Sequence, residues 1–79
     1  MKIIAVVRDK HTKEPIPYTP VWLGETLSVT DEHGEAAFEV PKGKRHIKIR
    51  ATDYEPLDRD IEVTRPVKLG VSLRSERLE

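Results

Sequence analysis

TDEHGEAAFEVPKGKRHIKIRATDYEP, residues 30–56, contains two alternating runs on either side of a glycine-bearing turn. Ala36, Phe38 and Val40 alternate with Ala37 and Glu39, and Ile47, Ile49 and Ala51 alternate with His46, Lys48 and Arg50. Successive strand residues point to opposite faces, so each run has one apolar side. Pro41-Lys42-Gly43-Lys44 separates the runs, and Gly43 is free to take positive φ. A turn centred on Lys42-Gly43 makes a β-hairpin in which Phe38 faces Ile47 and Ala36 faces Ile49. On its outer side Glu39 then meets His46 and Glu35 meets Arg50. Burial of Phe38 fixes that register, because a slip of one residue would turn the ring to the outer face.

The rest of the chain has the same period. Lys2 to Arg8 reads as an opening strand with Ile3, Ala5 and Val7 on one face. Asp9 to Pro17 is a polar connection in which Pro15 and Pro17 withhold ladder donors. Thr19 to Leu23 is a short strand with Val21 and Leu23 inward, and Pro20 places it at a sheet edge. Thr26 to Thr30 follows, with Leu27 and Val29 alternating against Ser28 and Thr30. Asp31-Glu32-His33-Gly34 is a tight turn. Leu57 to Val63 is exposed in its first half and is stopped by Arg65-Pro66. Val67, Leu69, Val71 and Leu73 make the cleanest alternation in the chain. About seven short strands at even spacing, with no sustained helical period, predict an all-β fold: a small antiparallel two-sheet Greek-key β-sandwich.

A chain of 79 residues makes a single domain over 1–79 with a modest core. It has no cysteine, so neither a disulfide nor a thiolate nucleophile is available. Fourteen basic and fourteen acidic residues cancel, which argues against a globally basic nucleic-acid binder or a polybasic membrane anchor. Asn and Gln are also absent while Lys, Arg and Glu are abundant, a composition that resembles thermophile proteins. The longest apolar run, Ile3 to Val7, is too short to cross a membrane as a helix. No signal peptide is recognisable, so the compartment stays open between an intracellular protein and an excised piece of a longer one. Leu78-Glu79 reads equally as a native end or as the remnant of a tag.

Residues that could carry chemistry are few. Tyr54 lies just past a strand, where sandwiches often place a corner tyrosine whose hydroxyl bonds nearby backbone. Gly34, Gly43 and Phe38 are expected to be structural, two for their turns and one for the core. Trp22 is out of phase with Val21 and Leu23 and so faces away from the core. With Tyr18 it could form a stacking platform for a sugar or a partner protein. Asp31, Glu32, His33 and Glu35 crowd one turn but lack the alternating ligands of a dedicated calcium loop, so no metal site is expected. His11, His33 and His46 sit on separate elements without zinc spacing. The basic segment from Lys42 to Arg50 has no interleaved aromatics and is expected to be neutralised by Glu35 and Glu39, which disfavours nucleic acid. Ser28, Ser72 and Ser75 have no nucleophile-elbow context, and no phosphate loop precedes a helix. No catalytic residue and no cofactor are therefore expected.

The order of motifs resembles the carboxypeptidase regulatory-like domain family, a prealbumin-like (transthyretin-like, immunoglobulin-like) sandwich. Asp9, Thr12, Pro15 and Pro17 match the family's opening connection, and Val21-Trp22-Leu23 matches its Val-x-Leu strand. Thr30-Asp31-Glu32-His33-Gly34 matches its Thr-Asp-x-x-Gly turn. Phe38, Pro41-Lys42-Gly43 and Tyr54-Glu55-Pro56 match its aromatic strand, Pro-x-Gly turn and Tyr-x-Pro corner. Lys13 and Asp53 depart from the family, which usually has glycine at those places. The transthyretin-related hydroxyisourate hydrolases share the architecture, but their His-Val-Leu-Asp opening and Tyr-Arg-Gly-Ser ending are both missing here. The resemblance implies a non-catalytic structural or interaction module, monomeric or weakly dimeric, whose partners are other proteins or neighbouring domains. The alternative from a different class is a carbohydrate-binding module using Trp22 and Tyr18. Exposed edges, either the Pro20 strand or the C-terminal strand, would suit strand addition by a partner.

Overall fold

The computed structural model describes residues 1–76, which form seven strands in two sheets. The pair Leu78-Glu79 lies outside the described residues. In chain order the strands are β1 (Lys2–Asp9), β2 (Pro20–Leu23), β3 (Thr26–Val29), β4 (Glu35–Glu39), β5 (Gly43–Ile49), β6 (Leu57–Val63) and β7 (Val67–Leu73). One sheet has the order β4-β1-β7 and the other β3-β2-β5-β6. The all-β sandwich read from the alternation is therefore the fold. Its pairings are antiparallel except for β1 with β7, which run parallel with Ile3 beside Val67 and Asp9 beside Leu73. The two strands lie far apart in the chain, and the intervening five provide the long crossover that a parallel pair needs.

The inner faces follow the predicted parity. Ile3, Ala5 and Val7 of β1, Val21 and Leu23 of β2, Ala36 and Phe38 of β4, Ile47 and Ile49 of β5, Val63 of β6, and Val71 and Leu73 of β7 are all buried in one core. Ile16 and Val40 join them from connections. Of the apolar side chains in the β1–β2 connection, Ile16 folds under the sandwich while Pro15, Pro17 and Tyr18 stay exposed.

The predicted β4–β5 hairpin does not form. β4 pairs with β1, with Phe38 beside Ile3 and Ala36 beside Ala5, whereas β5 pairs with β2 and β6. Pro41-Lys42 carries the chain from one sheet to the other, with Gly43 at φ 134° opening β5. Phe38 and Ile47 both enter the core, but from opposite layers. The outer-face partners change accordingly. Glu39 lies 3.0 Å from the N-terminal ammonium and Glu35 lies 3.5 Å from Lys68 Nζ, while His46 and Arg50 turn to β6. The edge position predicted for the Pro20 strand is also wrong, because β2 lies between β3 and β5. Pro20 is tolerated as the first residue of its strand: the β5 pairing begins only at Val21. The C-terminal strand β7 is an edge, as expected.

Two connections are fixed by short hydrogen bonds. Thr30 is 1% exposed; its hydroxyl donates to Ile16 O at 2.9 Å and accepts from Thr19 N at 2.8 Å. Its own amide donates to Thr19 O, and its carbonyl accepts from Tyr18 N, both at 2.9 Å. Gly34 closes the 31–34 turn by donating to Asp31 O at 3.0 Å. It has φ 76° and is pressed so closely against β1 that an added Cβ would lie 2.6 Å from Val7 O. Thr30→Val preserves the shape of the side chain but orphans the Ile16 carbonyl and the Thr19 amide. Each unsatisfied buried group costs about 1–3 kcal/mol, so urea unfolding should show a loss of ~2 kcal/mol or more. An unchanged midpoint would remove Thr30 from the groups that hold the fold.

Candidate functional site

The outer face of the four-stranded sheet gathers the aromatic and charged residues. Strand register sets Leu27, Trp22, Lys48 and Asp58 in one row, with Pro20 beside Val29 on one flank and His46 beside Asp60 on the other. The face is thus divided. Its β3–β2 half holds Pro20, Trp22, Leu27 and Val29; its β5–β6 half holds Lys44, His46, Lys48 and Arg50 opposite Asp58, Asp60 and Glu62.

Trp22 faces away from the core, as its parity predicts, and is half-buried. The Lys48 ammonium sits over its ring, 4.8 Å from the centroid, a cation–π contact. Tyr18 is 72% exposed and adopts φ 54°, held by its amide bond to Thr30 O. It lies at the Thr30 end of β3, while Trp22 pairs with Leu27. Leu27 and Val29 are each 53% exposed, so β3 is turned with its apolar side outward and Ser28 and Thr26 on the inner side. Alternation set Leu27 and Val29 against Ser28 and Thr30 but could not say which side faces the core.

Across β5 and β6, His46 bridges two carboxylates. Nδ1 is 2.9 Å from Asp60 Oδ1, and Nε2 is 3.1 Å from Asp58 Oδ1. The second oxygen of Asp58 accepts from Arg50 Nη2 at 2.8 Å. Only the imidazolium can donate from both ring nitrogens. The hydrogen bonds to Asp60 and then to Asp58 raise the His46 pKa above its ordinary 6.5, and Asp58 is correspondingly lowered, chiefly by His46. The basic strip is therefore neutralised by β6 and not by Glu35 and Glu39, because β6 is the strand beside it.

In the connection from β5 to β6, Tyr54 is half-buried and its hydroxyl donates to Asp9 Oδ2 at 2.7 Å, 45 residues away in the chain. The expected partner was nearby backbone. The difference arises because β1 ends on Asp9 next to the corner, and Asp9 already turns Oδ1 to the amides of His11 (2.7 Å) and Thr12 (3.0 Å). Those bonds, with the Thr12 amide first and the Tyr54 hydroxyl second, hold the Asp9 carboxyl below its usual range, and the same contact raises Tyr54. The corner is also tied to the C-terminal segment by Glu55 N to Arg74 O at 2.8 Å and Glu76 N to Asp53 O at 2.9 Å. Asp31, expected only in a solvated turn, spends Oδ1 on the amides of His33 and Glu35.

Shallow troughs lie between the described residues. One of about 240 Å³ lies where β6 and β7 flank the open side of the sandwich, lined by Pro56, Leu57, Asp58, Arg59, Leu73 and Arg74 among others. Another, of about 420 Å³, lies on the outer face of β1 and β7 over Val6, Arg8, Lys68 and Gly70.

No protein-family model matches the chain, and no curated protein matches it. Solved structures do. The Bacillus anthracis TIE protein superposes with a TM-score of 0.77 at 15% identity over 94% of this chain, and a membrane-associated protein of unknown function from Bacteroides fragilis with 0.74 at 15% over 99%. The chain spans 16% and 28% of those two proteins. A chain of a type II cohesin–X–dockerin complex from Acetivibrio cellulolyticus gives 0.65 at 24% identity, covering 89% of this chain and 51% of that one. The Caf1A usher C-terminal domain, whose surface hydrophobic clusters are important for F1 antigen assembly, gives 0.64 at 6% over 98% of this chain and all of that one. These likenesses agree with the topology above: the fold is an immunoglobulin-like β-sandwich.

Two pH dependences follow. His46 has a raised folded pKa, so its contribution to stability is fully present below 6.5 and is lost as pH rises through the raised value. The urea midpoint should fall over that interval, and His46→Gln should flatten it; Asp60→Asn should lower the imidazole midpoint seen by NMR. Asp9 has the opposite sign. Its stabilisation is present above the ordinary 3.8 and is lost as pH falls through the depressed value. Tyr54→Phe should lower the thermal midpoint at neutral pH and soften the acid limb of unfolding. An acid limb identical to that of the parent protein would detach Tyr54 from Asp9.

Proposed function

We propose that the chain is a non-catalytic interaction module of the carboxypeptidase regulatory-like kind, working through contact with other proteins or with neighbouring domains. The observation that carries this reading is the outward apolar square of Pro20, Trp22, Leu27 and Val29, at the margin of a face that is otherwise closed by ion pairs. Contiguous exposed apolar residues rimmed by polar ones mark interaction surfaces. The cohesin–dockerin and usher neighbours belong to assemblies, which supports the same reading by analogy of fold.

The family assignment has its own support. Lys13 and Asp53, which stand where that family has glycine, both adopt φ 68°. The backbone keeps the left-handed turn that glycine would make easily, even though the side chain has changed. The acids of β6 cancel the basic strip, which speaks against nucleic acid as partner. The enzymatic reading has no support in the side-chain geometry, since the short hydrogen bonds of Asp9, Asp31 and Tyr54 all lead into turns and corners.

The carbohydrate reading rests on the exposure of Tyr18 and on the outward Trp22. A sugar stacking on the indole would have to displace the Lys48 ammonium from that ring. Titrating the labelled protein with a pool of oligosaccharides separates the two. The interaction reading expects no amide shifts between Tyr18 and Leu23 and no change in Trp22 fluorescence. Saturable shifts there at micromolar concentration would replace it with the sugar-binding reading.

A further inference from the structure

We infer that the free edge of β3 is a docking site for an extended polypeptide segment of another protein, apolar at alternate positions and basic at both ends. The inference rests on the interaction-module reading and names the surface and the partner's chemistry. Among the described residues four strands have a free edge: β4 and β7 in one sheet, β3 and β6 in the other. β4 carries Glu35 and Glu39, β6 carries Asp58, Arg59, Asp60 and Glu62, and β7 carries Lys68. β3, Thr-Leu-Ser-Val, carries no charge in a chain that is 35% charged. Charged residues are the usual guard against pairing with a foreign strand, and β3 alone of the four lacks one.

The polarity of β3 adds a second argument. Leu27 and Val29 point outward although a shift of one residue would bury them. That shift is blocked at both ends. The Gly24 turn, at φ 63°, fixes one end, and the buried Thr30 hydroxyl, bonded to Ile16 O and Thr19 N, fixes the other. The apolar side is thus held on the surface. A strand added to β3 would set its own outward side chains next to Leu27 and Val29 and extend the Pro20–Trp22 patch.

Charge selects the occupant. Glu25 precedes β3, and Asp31 and Glu32 follow it, so both ends of the edge are acidic. A second copy of this chain is disfavoured in either direction, since antiparallel or parallel pairing of two β3 strands brings acidic end against acidic end. A segment with Lys or Arg at both ends and a middle of about four to six residues fits the length and the charge.

The test uses the whole chain, labelled with nitrogen-15, and two synthetic peptides with the same Val-Thr-Val-Thr-Val centre, one with lysine at both ends and one with glutamate. The expected result is amide shifts confined to Thr26 to Thr30 and Trp22 with the lysine peptide. Its binding should be several-fold tighter than that of the glutamate peptide at low salt, with the difference shrinking at high salt. Leu27→Lys combined with Val29→Lys should abolish the shifts while leaving the core amides of β1 and β5 in place. Shifts centred on β7 or β6 would overturn the β3 assignment and leave the interaction reading standing. No shifts with either peptide would overturn it as well. A concentration-dependent dimer in ultracentrifugation, lost in the double lysine variant, would make a second copy the occupant and likewise overturn the proposal. Saturable oligosaccharide shifts at Trp22 and Tyr18 would instead bring down the parent reading.

Discussion

The sandwich depends on how closely the 31–34 turn approaches β1. Val7 donates its amide to Gly34 O at 2.8 Å and accepts at its carbonyl from Ile16 N at 3.0 Å. One residue of the central strand thereby holds both the corner between β3 and β4 and the long β1–β2 connection. No Cβ fits at Gly34, because the Val7 carbonyl and Pro15 occupy the space. Ile16 reaches the core because its amide is held there. Thr30 then hangs β3 on the same connection. The two sheets are thus joined at a polar seam in which every bond is short, and the apolar core fills in behind it.

A second device lies close by, at the last residue of β1. The Tyr54 hydroxyl and the Asp9 carboxylate connect the β5–β6 corner to the end of β1, two residues beyond Val7, so the sheets are tied a second time at that end. This tie is ionic on one side and fails in acid. The His46 bridge between β5 and β6 stays within one sheet and weakens in base. Among the described residues no buried polar side-chain atom lacks a partner, which suits a chain whose core is small. With little apolar area to spare, satisfied polar contacts at the corners matter more than they would in a larger domain.

The surface divides according to the sheet order. Where β5 meets β6, cations and acids alternate and cancel, leaving a closed, solvated face. Where β2 meets β3, the face is apolar and ends at an uncharged edge. The division follows from strand neighbourhood: β6 brings the acids and β3 brings Leu27 and Val29. A face closed by its own ion pairs has little left to offer a partner, whereas the apolar margin is unmet among the described residues.

Parity was legible in the sequence. The period of two assigned Ile3, Ala5, Val7, Val21, Leu23, Ala36, Phe38, Ile47, Ile49, Val71 and Leu73 to the inside, and Trp22 to the outside, because a strand has only two faces. The turn glycine Gly34 was legible for the same local reason, since positive φ is cheap at glycine; Gly43 takes positive φ as well, but it opens β5 and does not centre the expected hairpin turn. Neighbourhood was decided by the tertiary structure. Parity is identical whether two amphipathic strands lie side by side in one sheet or face each other across the core, so β4 and β5 looked like a hairpin and proved to be opposite layers. The partners of Glu35, Glu39, His46 and Arg50 changed with that choice, as did the position of β2 and the anchor of Tyr54. The outward turn of β3 was beyond reach for the same reason. Its direction is set by Thr30 and the Gly24 turn, through hydrogen bonds to residues that alternation does not connect.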